Sequence, residues 1–214
     1  LTLELHWRLT HHRLLPFDFA TLISRSQNTD ITGFPIPVMS PEDRFVYLIV
    51  HGSNHGWFRL AWLCDIVQIM ERHPELSWSD IGSRTSAMGL SRVFGQSLNL
   101  VSDVLGARIP EGLRSSEIPD GAEATLTQTA LGAMQSPNAF LVNWDKLTWR
   151  EIVSGTRYRL KLHRSLSYKV GVLRKMLIRP QDWDDFPLPG FLFPLYYILN
   201  PALMLIRIFT KPRT

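Results

Sequence analysis

The chain has 214 residues, of which 45% are hydrophobic and 20% charged, and this composition excludes a disordered protein. Its single cysteine, Cys64, excludes an intramolecular disulfide and is typical of a cytosolic protein, so we expect a cytoplasmic location. The net charge of +4 is uneven: residues 151–214 hold 11 Lys and Arg against 4 Asp and Glu, whereas residues 1–150 hold 12 against 15. The basic end therefore favours an anionic partner.

Residues 1–10 alternate between apolar and polar side chains, which predicts a half-buried strand. Glu4 and His6 share the polar face of that strand. The chain opens inside this pattern without a methionine or a signal peptide, so we expect a fragment of a longer protein. A short helix is predicted over residues 16–26. Residues 30–39 are expected to be irregular or to form a short non-central strand, because prolines interrupt them.

The middle of the chain has the signals of a helical protein. Ser40 is a natural N-cap, Pro41 suits the first helical position, and the two acids that follow place negative charge in the first turn. Gly56 is expected to end this helix. Cys64 is expected to be buried in the next one. The predicted helices cover residues 41–55, 58–72, 78–88, 91–105, 120–134 and 148–178, the last with breaks near Gly155 and Gly171.

These elements predict a mainly α fold with a short N-terminal β remnant, in the α+β class. Residues 1–40 would be the end of a sheet region, residues 41–150 a helical core, and residues 151–214 a basic helix and an apolar helix packed on that core. The apolar end is shorter than the ~20 residues that span a bilayer, and two prolines interrupt it. Peripheral membrane contact through residues 157–209 is the alternative.

The basic run of residues 157–179 has no acid within it. RNA, anionic lipid and an acidic protein would all suit its charge, and a solvated helix face is the simplest interpretation. Tyr158 and Tyr168 are too few for a base-stacking platform, so the sequence has no clear nucleic-acid signature.

Polar chemistry concentrates in the motif HGSNHGWFRLAWLCD at residues 51–65. His51 and His55 are four residues apart and share a helical face, while Arg59 and Asp65 fall on the following helix. We expect the four side chains to form one buried polar cluster where the two helices meet. Three roles stay open for this cluster: a structural network, contact with a substrate whose phosphate Arg59 would bind, or a zinc site with Asp65 as third ligand.

Three motifs together resemble a known family. They are ELHWRL at residues 4–9, the central motif, and a C-terminal element made of Asp182-Trp183, a Pro-Leu-Pro at residues 187–189 and a Tyr-Tyr-x-Leu-x-Pro at residues 196–201. They resemble the uncharacterised nucleotidyltransferase family of bacteria, which is related to the polymerase-beta-type minimal nucleotidyltransferases. The resemblance extends over nearly the whole chain and implies the helical C-terminal part of such a protein.

The resemblance implies transfer of a nucleotidyl group from an NTP to an unknown acceptor, with Mg²⁺ as cofactor. In the family, a paired acidic motif holds the metal and the triphosphate, and the strand that follows supplies a third acid. Two-metal transfer needs these carboxylates to hold both ions. By resemblance, the catalytic residues are Glu4 and His6, the metal ligand is Glu4, and the substrate-binding residues are His51, His55, Arg59 and Asp65.

The paired acids are missing from the sequence. No Gly-Ser with an Asp-x-Asp shortly after it occurs in the 214 residues. We therefore expect these residues alone to be inactive. The alternative function is a non-catalytic helical module that binds a partner or a membrane surface.

Overall fold

The structure, a computed structural model, describes residues 18–111, 113, 122–135, 149–176 and 187–199. Within these residues it is mainly helical with one two-stranded sheet near the N-terminal end, which confirms the predicted fold class. The predicted strand at residues 1–10 lies outside the described residues. In chain order the described elements are α1 (Phe19–Ser24), β1 (Gln27–Ile31), β2 (Phe34–Val38), α2 (Pro41–Asn54), α3 (Ala61–Arg72), α4 (Trp78–Ala87), α5 (Ser91–Leu105), α6 (Ala122–Gln135), α7 (Trp149–Leu162), α8 (Leu166–Met176) and a 3₁₀ helix (Gly190–Leu195).

The strands β1 and β2 form an antiparallel hairpin whose residues are almost all exposed. Its turn contains Gly33 at φ +87°, and the Gly33 N–H donates to Asp30 Oδ1 at 2.9 Å. Pro35 and Pro37 both lie in β2. A two-stranded ladder tolerates them because each strand has one unpaired edge. The prediction of a short, non-central strand in this region is confirmed.

The helix α5 lies at the centre of the described fold, because it contacts α2, α3, α4 and α6. Its buried side chains meet those of α2, where Phe45 is fully buried. The Phe45 ring makes edge-on contacts with Trp78 at 5.3 Å and with Phe94 at 6.2 Å between centroids. Core residues with at most 1% exposure are Phe45, Val46, Ile49, Val50, Trp57, Leu63, Ile66, Ile81, Val93, Leu100, Val101, Leu126 and Ala130.

The helix α2 begins as the sequence predicts. Ser40 is its N-cap, and the Ser40 Oγ accepts a hydrogen bond from the Asp43 N–H at 3.2 Å. Pro41 occupies the first turn, where a missing N–H costs nothing. The start of α2 could therefore be predicted from its capping residues alone.

The helix α3 begins at Ala61, three residues later than predicted. The backbone of Trp57 is left-handed, with φ +59°, so residues 56–60 form a turn rather than the first helical turn. The buried side of α3 carries Leu63, Ile66 and Ile69. Cys64 points away from that side and is exposed, so the expected burial of Cys64 is wrong.

The basic segment forms two helices, α7 and α8, separated by residues 163–165. The predicted breaks at Gly155 and Gly171 are wrong, because both glycines lie within helices. Instead, the chain turns at His163, whose ring Nδ1 accepts the backbone N–H of Ser165 at 3.0 Å. That bond satisfies an amide that the next helix leaves unpaired at its start.

His163 also fixes this turn to the core. Its Nε2 lies 2.9 Å from the carbonyl oxygen of Met88, and its ring stacks on Tyr168 with centroids 5.0 Å apart. The ring covers Gly89, where a Cβ would lie 2.5 Å from it. The turn between α7 and α8 therefore rests on the turn between α4 and α5. Burial raises the pKa of the Tyr168 hydroxyl to about 12.

Candidate functional site

The turn between α2 and α3 is built by the two glycines of the central motif. At the end of α2, Gly56 adopts φ +62°, a conformation that favours glycine. The chain then folds back, and the Trp57 N–H donates to the Gly52 carbonyl at 2.9 Å. The Trp57 indole lies directly on Gly52, where a Cβ would be 2.3–2.7 Å from three ring atoms. The first glycine thus makes room for the tryptophan, and the second makes the turn.

On the outer side of this turn, three rings form a compact cluster. The ring centroids of His51 and His55 are 4.8 Å apart, and each lies within 5.3 Å of the Trp62 ring. All three side chains are half-buried. Tyr47 extends the cluster on the His51 side at 5.8 Å, and Phe58 lies 5.1 Å from Trp62. We call these five residues the ring cluster.

Arg59 adds a cation to the ring cluster. Its side chain is exposed, and the guanidinium carbon lies 5.4 Å from the Phe58 ring centroid and 5.9 Å from that of Trp62. Such contacts stabilise an arginine by about 0.5–1 kcal/mol at exposed sites and leave its N–H groups available to an anion. The accessible side of the turn therefore combines aromatic faces with a positive charge.

The structure corrects the expectation of one buried cluster of four polar residues. His51 and His55 are in contact, and Arg59 adjoins them through shared rings. Arg59 and Asp65 are exposed, however, so the expected burial of these two side chains is wrong. Asp65 lies one helical turn beyond Trp62, at the exposed margin of α3. Only the two histidines are shielded by neighbouring rings.

The zinc interpretation finds no support in this geometry. Within the part of the chain that the structure describes, no group of three or more His, Cys, Asp and Glu side chains could hold a metal ion. The other two sequence-based candidates, Glu4 and His6, lie outside the described residues.

A buried ionic group that the sequence did not reveal lies at the start of α2. Asp43 has a side-chain exposure of 3%, and its carboxylate accepts both Nε and Nη2 of Arg25, at 2.9 and 2.7 Å. Arg84 Nη1 donates to the same carboxylate at 2.9 Å, and the Ser40 hydroxyl adds a contact at 3.1 Å. Arg84 also pairs with Asp80. This group joins the chain after α1, the start of α2 and helix α4.

No local signal could have found this group, because Arg25 and Arg84 are 18 and 41 residues from Asp43 in the sequence. An acid in the first turn of a helix is ordinarily explained by the helix dipole alone. Only the tertiary contacts show that Asp43 is buried.

A second buried polar network joins α5, α6 and α7. Gln96 is fully buried, and its amide donates to the Leu126 carbonyl at 2.9 Å. The Tyr158 hydroxyl donates to Gln96 Oε1 at 3.1 Å. Burial raises the pKa of Tyr158 above its ordinary value, so this donor stays protonated. The network links the three helices through buried groups.

Comparison with protein families finds a match over part of the chain. The model of a family described as uncharacterised nucleotidyltransferase matches residues 1–106. This segment includes α1 to α5, and thus the ring cluster, Arg59 and Asp65. No curated protein and no solved structure matches the chain.

Proposed function

We propose, from the match of residues 1–106 to the model of the uncharacterised nucleotidyltransferase family, that the turn between α2 and α3 binds substrate during nucleotidyl transfer. The family assignment indicates nucleotidyl transfer as the reaction class. The donor in this proposal is an NTP, and the acceptor is a second substrate that the family assignment does not identify.

The observation that carries the proposal is the arrangement around Arg59. Its guanidinium group is exposed and lies beside the partly exposed rings of Phe58 and Trp62. A nucleotide presents a flat base and an anionic phosphate chain, which suit aromatic faces and a guanidinium group respectively. In the proposal, Arg59 binds a phosphate and the ring cluster contacts the base.

The remaining predicted site residues fit around this arrangement. The imidazoles of His51 and His55 can hydrogen-bond to substrate groups that reach the half-buried side of the turn. Asp65, exposed one helical turn beyond Trp62, can accept a hydrogen bond from a hydroxyl or ammonium group of the acceptor. These roles are binding roles, and none of them requires a metal.

The only support for Mg²⁺ in this proposal is the resemblance to the nucleotidyltransferase family. Among the described residues, no group of three or more His, Cys, Asp and Glu side chains could hold a metal ion, so they suggest no magnesium ligands of their own. Glu4, outside the described residues, is the carboxylate that the resemblance assigns to the metal, and His6 is the neighbouring candidate for catalysis. The binding roles of Arg59 and the ring cluster are therefore independent of the metal ligands.

We expect Arg59→Ala to weaken binding of the recognised NTP at least about tenfold, because a charge-assisted phosphate contact contributes about 1.5–3 kcal/mol. The measurement is isothermal titration of the 214-residue protein with each of the four magnesium–NTP complexes. The matched control is Arg72→Ala, which removes another exposed arginine from the same stretch of chain, at the end of α3.

Equal affinities for the Arg59→Ala and Arg72→Ala proteins would contradict the assigned role of Arg59. If none of the four nucleotides binds, the proposal that this turn is a nucleotide-binding site is contradicted. Trp62→Leu provides a second variant, and its loss of affinity would show that the ring cluster contributes besides the charge.

A second expected result concerns activity. The 214 residues alone should incorporate no label from a radiolabelled NTP into any added acceptor, because they contain no Gly-Ser with an Asp-x-Asp shortly after it, the pattern that would supply paired metal ligands. Mg²⁺-dependent incorporation by this protein would contradict that expectation. It would mean that other carboxylates of the chain bind the metal.

A further inference from the structure

The helix α8 carries an apolar stripe on its solvent-facing side. Leu166, Val170 and Leu173 are 75%, 54% and 46% exposed, and their spacing of four and three residues places them on one helical face. The opposite face is buried against the fold through Tyr168 and Val172, each 3% exposed. The exposed stripe is therefore separate from the buried face that packs α8 against the fold.

Cations lie on both flanks of this stripe. At about 100° per residue, Lys169 falls on one side of the stripe and Arg174 on the other. The whole stretch from residue 152 to residue 181 contains no acid. Lysine and arginine stems can lie along apolar surface while their charged ends reach polar groups above it.

The stripe adjoins a second exposed apolar segment. Arg174 Nε donates to the hydroxyl of Tyr197 at 2.9 Å, and its guanidinium carbon lies 5.5 Å from that ring. Phe191 and Ile198, on the same short segment, are 81% and 71% exposed. Tyr196, only 2% exposed, anchors the segment in the fold. Exposed apolar side chains thus continue from α8 onto residues 190–199.

We propose that α8 and residues 190–199 form a surface that binds the anionic lipid headgroups and the outer acyl region of a membrane. An apolar stripe bordered by cations is the pattern of helices that lie in the membrane interface. Each cation near an anionic leaflet contributes about 1 kcal/mol of attraction. This proposal is independent of the substrate site at the turn between α2 and α3.

The exposed stripe is what favours lipid over nucleic acid. A nucleic-acid surface needs cations and stacking rings, and it gains nothing from the exposed aliphatic side chains of Leu166, Val170 and Leu173. Among the described residues, no helix combines the length and the apolar composition that crossing a bilayer requires. The proposed contact is therefore with the membrane surface.

The test is flotation of the 214-residue protein with vesicles of phosphatidylcholine alone and of phosphatidylcholine with about 30% phosphatidylglycerol. We expect binding to the anionic vesicles only, and weaker binding at about 0.5 M salt than at about 0.1 M salt. The double variant Leu166→Ser/Val170→Ser should bind at least about tenfold more weakly, because it removes the inserted side chains. Lys169→Gln should weaken binding to a smaller extent.

The matched control is Phe34→Ser, which removes a similarly exposed apolar side chain, 71% exposed, from the hairpin of β1 and β2. This change should leave vesicle binding unaltered.

Failure of the wild-type protein to float with anionic vesicles would overturn the proposal, as would equal binding by the double variant. Sedimentation that shows self-association of the wild type, lost in Leu166→Ser/Val170→Ser, without vesicle binding would assign the surface to a second copy of the chain instead. Because both replaced side chains are exposed, circular dichroism should show an unchanged fold.

Discussion

Replacing Gly52 by alanine is expected to destabilise the protein by about 3 kcal/mol, although alanine is ordinarily the better helix residue. Gly52 lies inside α2, and an added Cβ would be 2.3–2.7 Å from three atoms of the Trp57 indole. Trp57 has little room to move, because its side chain is fully buried and its backbone N–H donates a hydrogen bond to the Gly52 carbonyl. The new methyl group must strain the core, at about 1–3 kcal/mol, or displace the indole, at about 3–5 kcal/mol.

The matched control for this change is Gly82→Ala. Gly82 also lies within a helix, α4, but no atom outside its chain neighbours and the backbone of its own helix lies within 4 Å of the position its Cβ would take. Alanine should stabilise the protein there by about 0.5–1 kcal/mol through helix propensity and reduced chain entropy. Urea unfolding of the three proteins measures both effects. A Gly52→Ala protein as stable as Gly82→Ala would contradict the position of Trp57 against α2.

This contrast shows which part of the central motif the sequence could explain. The turn at Gly56 was predictable, because glycine is a recognised helix breaker and favours a positive φ. The need for glycine at position 52 was not, since it depends on a tryptophan five residues later folding back onto the helix. The ring cluster followed in part from the four-residue spacing of His51 and His55.

Helix boundaries were predictable wherever local chemistry sets them. The start of α2 at its Ser40 cap and the end of α5 before Gly106 agree with the structure, because capping residues and glycines act within a few residues of themselves. The break between α7 and α8 was misplaced for the opposite reason. It depends on His163 contacting Met88, a residue 75 positions earlier in the chain. Gly155 is buried within α7, where packing overrides its low helix propensity.

Which single carboxylates are buried also depends on contacts between distant residues, so the sequence could not predict it. Asp43 and Asp65 both lie on helices, and the motif around Asp65 made it the stronger candidate for a buried role. In the structure Asp43 is buried and Asp65 is exposed. What decides burial is which arginines the fold brings near, and Arg25 and Arg84 reach Asp43 from distant parts of the sequence.

We therefore expect Asp43→Ala to destabilise the protein by about 3–5 kcal/mol. The change leaves the guanidinium groups of Arg25 and Arg84 without the carboxylate that three of their N–H groups contact. It also removes the link between the chain after α1, helix α2 and helix α4. The arginine side chains are 36% and 22% exposed, so partial hydration should place the cost at the lower end of that range. Urea unfolding at neutral pH is the measurement.

The informative comparison is with Asp65→Ala, which should change the free energy of unfolding by less than about 0.5 kcal/mol because the side chain is exposed. The same variant should weaken substrate binding if Asp65 belongs to the proposed site, whereas Asp43→Ala should act on stability first. A large loss of stability in Asp65→Ala would restore the buried-cluster hypothesis for the four polar residues of the motif. A small loss in Asp43→Ala would contradict the prediction and show that water reaches the guanidinium groups of Arg25 and Arg84 once the carboxylate is gone. The two aspartates thus separate the residue that holds the helices together from the residue that remains available to a substrate.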